Sequence, residues 1–187
     1  MRIARNGCTL ELVVGDITTQ QVDVIANAAN PALAGGGGVD GAIHRAAGPL
    51  VMRQTQTDYP DGCPIGSAVL TEAGNLPAGR IAHAVGPVWR GGRANEESLL
   101  RGAYRTVLEL AIDDGAASVA LPAISCGVYG YPIDQASHIA VDEVLRVIDE
   151  HGQPRLVRFV LFSEGVFGAF ARSLDATLAE RPGGEAS

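Results

Sequence analysis

Polar and apolar residues alternate over Thr9–Val14, and a short apolar run follows at Val22–Asn27. Period-two alternation marks a strand with one buried face, and a short apolar run between turn residues marks one buried on both. The period then changes. Val39–Ala47 has helical spacing, with Asp40 placed to serve the helix start and Gly48-Pro49 to end it. Ser67–Thr71 and Ile81–Val85 read as two further strands bounded by Gly and Pro. Glu96–Asp113 sets Leu99, Leu100, Tyr104, Val107, Leu108 and Ala111 at helical spacing, with Gly115 as a stop. A strand at Ser118–Leu121, a helix over Asp134–Glu150, a strand at Leu156–Phe162 and a last helix over Val166–Leu178 complete the series.

Strands separated by helices predict an α/β fold with helices on both faces of the sheet. The first strands follow one another with no helix between them, so the expected sheet of about six strands is mixed, though mostly parallel. There is no internal repeat and no linker. One domain is expected over residues 1–180, and 181–187 reads as a frayed tail.

Ligands of such sheets lie outside the carboxyl ends of the strands. Two glycine loops fall there. Gly35-Gly36-Gly37-Gly38 lies between a strand and a helix and runs straight into the helix, where free amides and the positive end of the helix dipole suit a phosphate. Ser125-Cys126-Gly127-Val128-Tyr129-Gly130-Tyr131 opens towards the next helix, and its amides could cradle a second phosphate. A flexible connector and an ordinary turn are the plainer readings of these two loops. Gly36-x-Gly38-x-x-Gly41 matches the dinucleotide fingerprint in form only, since Asn-Pro-Ala-Leu-Ala separates it from the strand and no strand-ending acid follows about 20 residues on.

Asn27, Asn30 and Asp40 bracket the first loop, and His44 falls four residues after Asp40 on the same helical face. An acid and a histidine beside a phosphate loop can position a water and take its proton. Each also has a structural reading: Asn30 as a turn starter, Asp40 as a cap, His44 as a core histidine. Cys126 could be a nucleophile, although a small buried thiol is the commoner case. There is no Gly-x-Ser-x-Gly elbow, and His44, His83, His138, His151 and the cysteines lack metal-ligand spacing.

Charge and composition narrow the partners. A net charge of −7 argues against nucleic acid, whose binding rests on phosphate neutralisation. The chain has no Lys, which removes Schiff-base chemistry and the P-loop lysine. Three cysteines are too few for a disulfide scaffold, and no apolar run reaches the roughly 20 residues of a membrane span. With no export signal at its start, the chain is expected in the cytoplasm, off the membrane.

Taken in order, Gly15-Asp16-Ile17-Thr18, Asn27-Ala28-Ala29-Asn30, Gly35–Gly38-Val39-Asp40-Gly41-Ala42-Ile43-His44 and Gly48-Pro49 resemble the signature of MacroD-type macrodomains. The likeness continues through Cys63-Pro64-Ile65-Gly66, His83-Ala84-Val85-Gly86-Pro87 and Pro122–Pro132, covering about Leu10 to Phe162. Within that family the chain looks closest to bacterial O-acetyl-ADP-ribose deacetylases. The resemblance implies a three-layer α/β/α macrodomain fold with an ADP-ribose cleft and no cofactor or metal. Asp16 would accept from the adenine amino group with Ile17 beside it, and Phe162 would stack on adenine. Gly36, Gly37, Gly38 and Val39, with Ser125, Cys126, Gly127, Val128 and Tyr129, would hold the diphosphate and distal ribose. Asn27, Asn30 and Asp40 would form the polar set at that ribose, Asp40 being the favoured catalytic group and His44 its neighbour. The implied activity is hydrolysis of an ester or glycosidic bond there, on O-acetyl-ADP-ribose or on mono-ADP-ribosylated acidic side chains; the rival is a reader that binds ADP-ribose without turnover. Cys126 and Tyr129 stand where the family often has Thr and Phe.

Overall fold

Five parallel strands form the centre of a seven-stranded sheet. The computed structural model describes residues 1–181, and its elements run β1 (Arg2–Arg5), β2 (Cys8–Val14), β3 (Val24–Ala28), α1 (Gly38–Ala47), α2 (Pro49–Asp58), β4 (Ser67–Glu72), β5 (Arg80–Val85), α3 (Glu96–Asp113), β6 (Ser118–Leu121), α4 (Ile133–His151), β7 (Leu156–Leu161) and α5 (Glu164–Glu180), with a 3₁₀ turn at Ile17–Thr19. The strand order is β1-β2-β7-β6-β3-β5-β4, and only the edge pairs β1/β2 and β4/β5 are antiparallel.

Side-chain alternation divides the core between two faces. Val24 and Ala26, Val119 and Leu121, and Phe159 and Leu161 point to the side covered by α3, α4 and α5. Ile25, Ala120 and Val160, between them in sequence, join Ile43, Ala47 and Val51 on the side of α1 and α2. The three layers follow from that alternation, because each central strand is apolar on both faces. Helix α3 buries Leu100, Tyr104, Val107, Leu108 and Ala111, the positions its spacing marks, while Leu99 stays half-buried. Each fully buried Leu or Val contributes about 1.5–3 kcal/mol by leaving water. Beside that stripe, Arg101 and Arg105 reach Asp142 and Glu143 on α4 at 2.6 Å each.

Two elements go beyond the six strands and their helices. The added strand is β1, whose Arg-Ile-Ala-Arg shows little apolar pattern; it is held by its pairing with β2 and by Arg5, whose guanidinium takes both oxygens of Asp149. The added helix is α2. Gly48 ends α1 at a φ of +82°, and Pro49 then opens a new helix, the position where a missing N–H costs nothing. Its sequence is polar and buries only Val51 and Thr55, so the periodic signal is faint. Of the tail expected at 181–187, Arg181 is anchored, its guanidinium 2.7 Å from Asp142 and its carbonyl accepting from Arg5. The rest, 182–187, lies outside the described residues.

Candidate active site

All five parallel strands end at one cleft of about 790 Å³. Gly15, Asp16 and Ile17 follow β2, Phe162 follows β7, Pro122–Ser125 and Gly127–Tyr129 follow β6, Ala29, Asn30 and Gly36–Asp40 follow β3, and Gly86 follows β5. From β2 to β3 is three strand spacings, about 14 Å, so the cleft suits a long ligand rather than a compact one.

The first glycine loop is a built structure. Asn30 donates through Nδ2 to the Gly35 carbonyl at 2.8 Å and accepts from the Ala34 amide at 3.2 Å, while its own carbonyl closes a turn with Leu33. It therefore lines the cleft and fastens the loop at once. Gly38 opens α1 at a φ of +57°. At Gly41 a Cβ would lie 2.5 Å from the Gly36 carbonyl, so only glycine lets the loop fold back on the helix. The helix cap, Gly37, carries no side chain to bond the first-turn amides of α1, and Gly38, Val39 and Asp40 of that turn line the cleft. Asp40 is the third helical residue, not the cap.

The second loop is rooted by Tyr104, whose hydroxyl donates to the Pro122 carbonyl and accepts from the Ile124 amide, both at 2.9 Å. Trp89 braces it from outside, its amide donating to the Tyr129 carbonyl and its ring 4.6 Å from Tyr131. The amides of Gly127, Val128 and Tyr129 have no protein partner among the described residues. Ser125 sits at a φ of +65° with its hydroxyl buried in the cleft wall and unpaired among the described residues, and Gly86 opposite it has no room for a side chain.

The expected polar set divides into two layers. Asp40 and Asn30 line the cleft; Asn27 and His44 stand behind. Asn27 is wholly buried and donates to Asp40 Oδ1 at 2.6 Å, and His44 Nε2 lies 3.3 Å from the same oxygen. Asp40 Oδ2 is left towards Gly36, where a Cβ would come within 3.1 Å of it. The carboxylate is thus held by one oxygen and offered by the other. Across the cleft Tyr129 is half-buried, and both its burial and the charge of Asp40 raise its phenol pKa, which keeps the hydroxyl protonated.

At the other end Asp16 is exposed, with Oδ1 accepting from the amide and hydroxyl of Thr18 at 2.8 and 2.7 Å, and Ile17 is buried beneath it. Phe162, one residue past β7, leaves 70% of its surface open on the cleft rim, and Val128 leaves 95%. Cys126 does not line the cleft. Its thiol packs into the core, burial pushes its pKa up to about 12, and its amide is spent on the Ala123 carbonyl. A thiol so held is not a nucleophile at neutral pH.

The side chain that spacing did not single out is His83. It is wholly buried on β5, with Nδ1 3.2 Å from Asn27 Nδ2 and Nε2 2.8 Å from the Thr71 hydroxyl. Burial first, then the neighbouring His44, lower its pKa to about 4, so the ring is neutral. Only its place in the run His83–Pro87 hinted at it. Among the described residues no cluster of His, Cys, Asp or Glu is placed to hold a metal, and no helix is long and apolar enough to cross a membrane.

Residues 26–140, which hold both glycine loops and Asp40, match the model of the Macro domain. The chain belongs to the Macro domain family. It is 55% identical over 161 residues to the Escherichia coli K12 protein named O-acetyl-ADP-ribose deacetylase, a match spanning 83% of this chain and 89% of that one. Among solved structures it resembles an Oceanobacillus iheyensis macrodomain with ADP, at 40% identity and a TM-score of 0.91, covering 96% and 97% of the two chains. A Trypanosoma brucei macrodomain in complex with ADP-ribose is 41% identical with a TM-score of 0.80, covering 87% of this chain and 68% of that one. Its macrodomain fold is thus shared with proteins that hold ADP and ADP-ribose.

Proposed function

We propose that this macrodomain binds ADP-ribose derivatives through one domain, residues 1–180, and hydrolyses an acyl ester on the distal ribose, with O-acetyl-ADP-ribose as the first substrate to consider. The observation that carries the reading is the Asp40 carboxylate, buried at the head of α1 behind a glycine loop, tied through Oδ1 and free through Oδ2 on the cleft side. Two sets of backbone amides flank it, which lets a chain of net charge −7 hold a diphosphate without a lysine. The relatives named as deacetylases support the same substrate class.

In this reading Asp16, Ile17 and Phe162 take the adenine end. The amides of Gly36–Val39 and Gly127–Tyr129 hold the diphosphate, and Asn30, Ser125 and Tyr129 surround the distal ribose. Asp40 Oδ2 orients a water against the acyl carbon and draws off its proton as the new C–O bond forms. The bond from acyl carbon to ribose oxygen breaks, that oxygen takes a proton, and acetate leaves with ADP-ribose. The Tyr129 hydroxyl can donate to an oxygen that gains charge on the way. A carboxylate ester of mono-ADP-ribose on a protein Asp or Glu presents the same bond to the same group, and the exposed Val128 on the second loop leaves the rim open for a larger acyl partner. A cytoplasmic setting agrees with three free thiols.

The test is incubation with O-acetyl-ADP-ribose and with a glutamate-ADP-ribosylated protein, beside an Asp40→Ala control. Release of acetate or ADP-ribose by wild type alone supports the reading. Calorimetric binding of ADP-ribose with no release from either substrate would make the protein a reader instead.

A further inference from the structure

Three polar side chains form a row across neighbouring strands beneath α1. Asn27 on β3 is in register with His83 on β5, both on the sheet face that carries Ile25 and Ile81 against α1. Thr71 on β4 is paired with Ile81, next to His83 on that face. All three are wholly buried. Placing three polar groups in an apolar layer is costly unless each is hydrogen-bonded, and here each bonds the next.

Proton positions follow from the end of the row. Asn27 must point its NH₂ at Asp40, because its carbonyl would repel the carboxylate, and that same nitrogen then faces His83 Nδ1 at 3.2 Å. A neutral ring accepts at Nδ1 and carries its proton on Nε2, which donates to the Thr71 hydroxyl; that hydroxyl donates onward to the Glu72 carbonyl at 3.1 Å. Both amide hydrogens of Asn27 are used, and its Oδ1 has no protein partner among the described residues. A core histidine serving packing alone needs no such order.

We infer that His83, set by Thr71, is a positioning residue that fixes the Asn27 amide and through it the Asp40 carboxylate. The inference rests on the proposed hydrolase reading for its kinetic consequence only. With the Nδ1 acceptor gone, the Asn27 amide loses one of its two anchors and the carboxylate its fixed direction. A small misplacement of a catalytic group costs on the order of 10- to 100-fold in rate.

The experiment compares His83→Leu, which fills the volume without an acceptor, with His83→Asn, whose Oδ1 can accept where Nδ1 did. Thr71→Val and Thr71→Ser form a second pair should the first fold poorly. The kcat for O-acetyl-ADP-ribose should fall by about tenfold or more in His83→Leu and recover in His83→Asn, with the affinity for ADP-ribose unchanged because none of the row lines the cleft. Thr71→Ser should likewise exceed Thr71→Val. Equal rates within both pairs, or affinity falling in step with rate, would overturn the assignment. A readout free of turnover is the Asn27 side-chain amide in ¹H–¹⁵N spectra: protected in wild type and His83→Asn, fast-exchanging in His83→Leu. If wild type releases no acetate, the hydrolase reading fails, and the amide signals still decide whether His83 holds Asn27; an unchanged Asn27 signal in His83→Leu would show that it does not.

Discussion

The two ends of the cleft are built in opposite ways. At the Asp40 end the polar groups are buried and cross-braced between a helix and three strands, so that one carboxylate oxygen is fixed and the other free. At the Asp16 end the acid is exposed, braced by Thr18 two residues on, and the aromatic Phe162 stands open on the rim. A group that acts on a bond must be held in place before the ligand arrives, and long-range bracing does that. A group that only recognises a base can be set by its own turn, because the ligand completes its surroundings.

Asp40→Ala should break the comparison most severely. Loss of a positioned general base lowers the rate by roughly 10²–10⁴-fold, while calorimetry should find ADP-ribose still bound, since the amide loops are untouched. Binding lost in parallel with turnover would mean that the Asp40 end is a binding element like the other. Protonation attacks the same end without mutation. The His83 pKa stands near 4 against about 6.5 for a free imidazole, so the unfolded chain binds a proton that the folded one refuses. The stability this contributes is complete above pH 6.5 and drains away as pH falls towards 4, by about 3 kcal/mol in all. Denaturant titrations from pH 7 down to 4 should show that loss in wild type, and His83→Leu should lack that part of it. Parallel curves for the two proteins would contradict a buried neutral ring.

How far the cleft could be read from the chain depends on which end is considered. Local features were legible: the glycine run entering α1 and the Asp40–His44 spacing each lie within a few residues of their partners, whereas Asp16 was marked only by the family resemblance. The sheet was legible for the same reason, because β3, β6 and β7 announce burial on both faces by their own composition. Long-range features were not. Strand β1 owes its place to β2, and α2 to a Gly-Pro junction that reads as a stop. His83 sits 56 residues from Asn27, and nothing in Arg-Ile-Ala-His-Ala-Val tells a relay histidine from a packed one. The separation of Asn27 and His44 from the cleft, and of Cys126 from it, needed the third dimension, since neighbours in a loop can face opposite ways.

A milder test lies at the Asp16 end. Asp16→Ala removes both the carboxylate proposed to meet the ligand and the acceptor that caps the Ile17–Thr19 turn; Asp16→Asn keeps an acceptor for the cap. Losing a charge-assisted hydrogen bond costs on the order of 1–3 kcal/mol of affinity. Asp16→Ala should show that loss in ADP-ribose affinity by calorimetry, Asp16→Asn a part of it, and kcat should hold in both. A kcat falling with affinity would mean that the two ends are coupled.

The smallest effect is expected at Cys126, and it sharpens the comparison by what fails to happen. Its position between Ser125 and Gly127 puts it within the second loop, yet its thiol faces the core beside Tyr104 and donates to the Ile124 carbonyl at 3.5 Å. Cys126→Ser keeps the size and a donor, while Cys126→Ala removes both. A rate unchanged within about twofold in either variant, far below the 10²–10⁴-fold that a lost catalytic group costs, would fit a side chain that packs. The cost should appear in thermal stability, on the order of 1 kcal/mol for the alanine, the scale of a small void in a packed core. A large loss of rate with stability preserved would instead bring the thiol into the chemistry, and would require the loop to turn it into the cleft when a ligand binds.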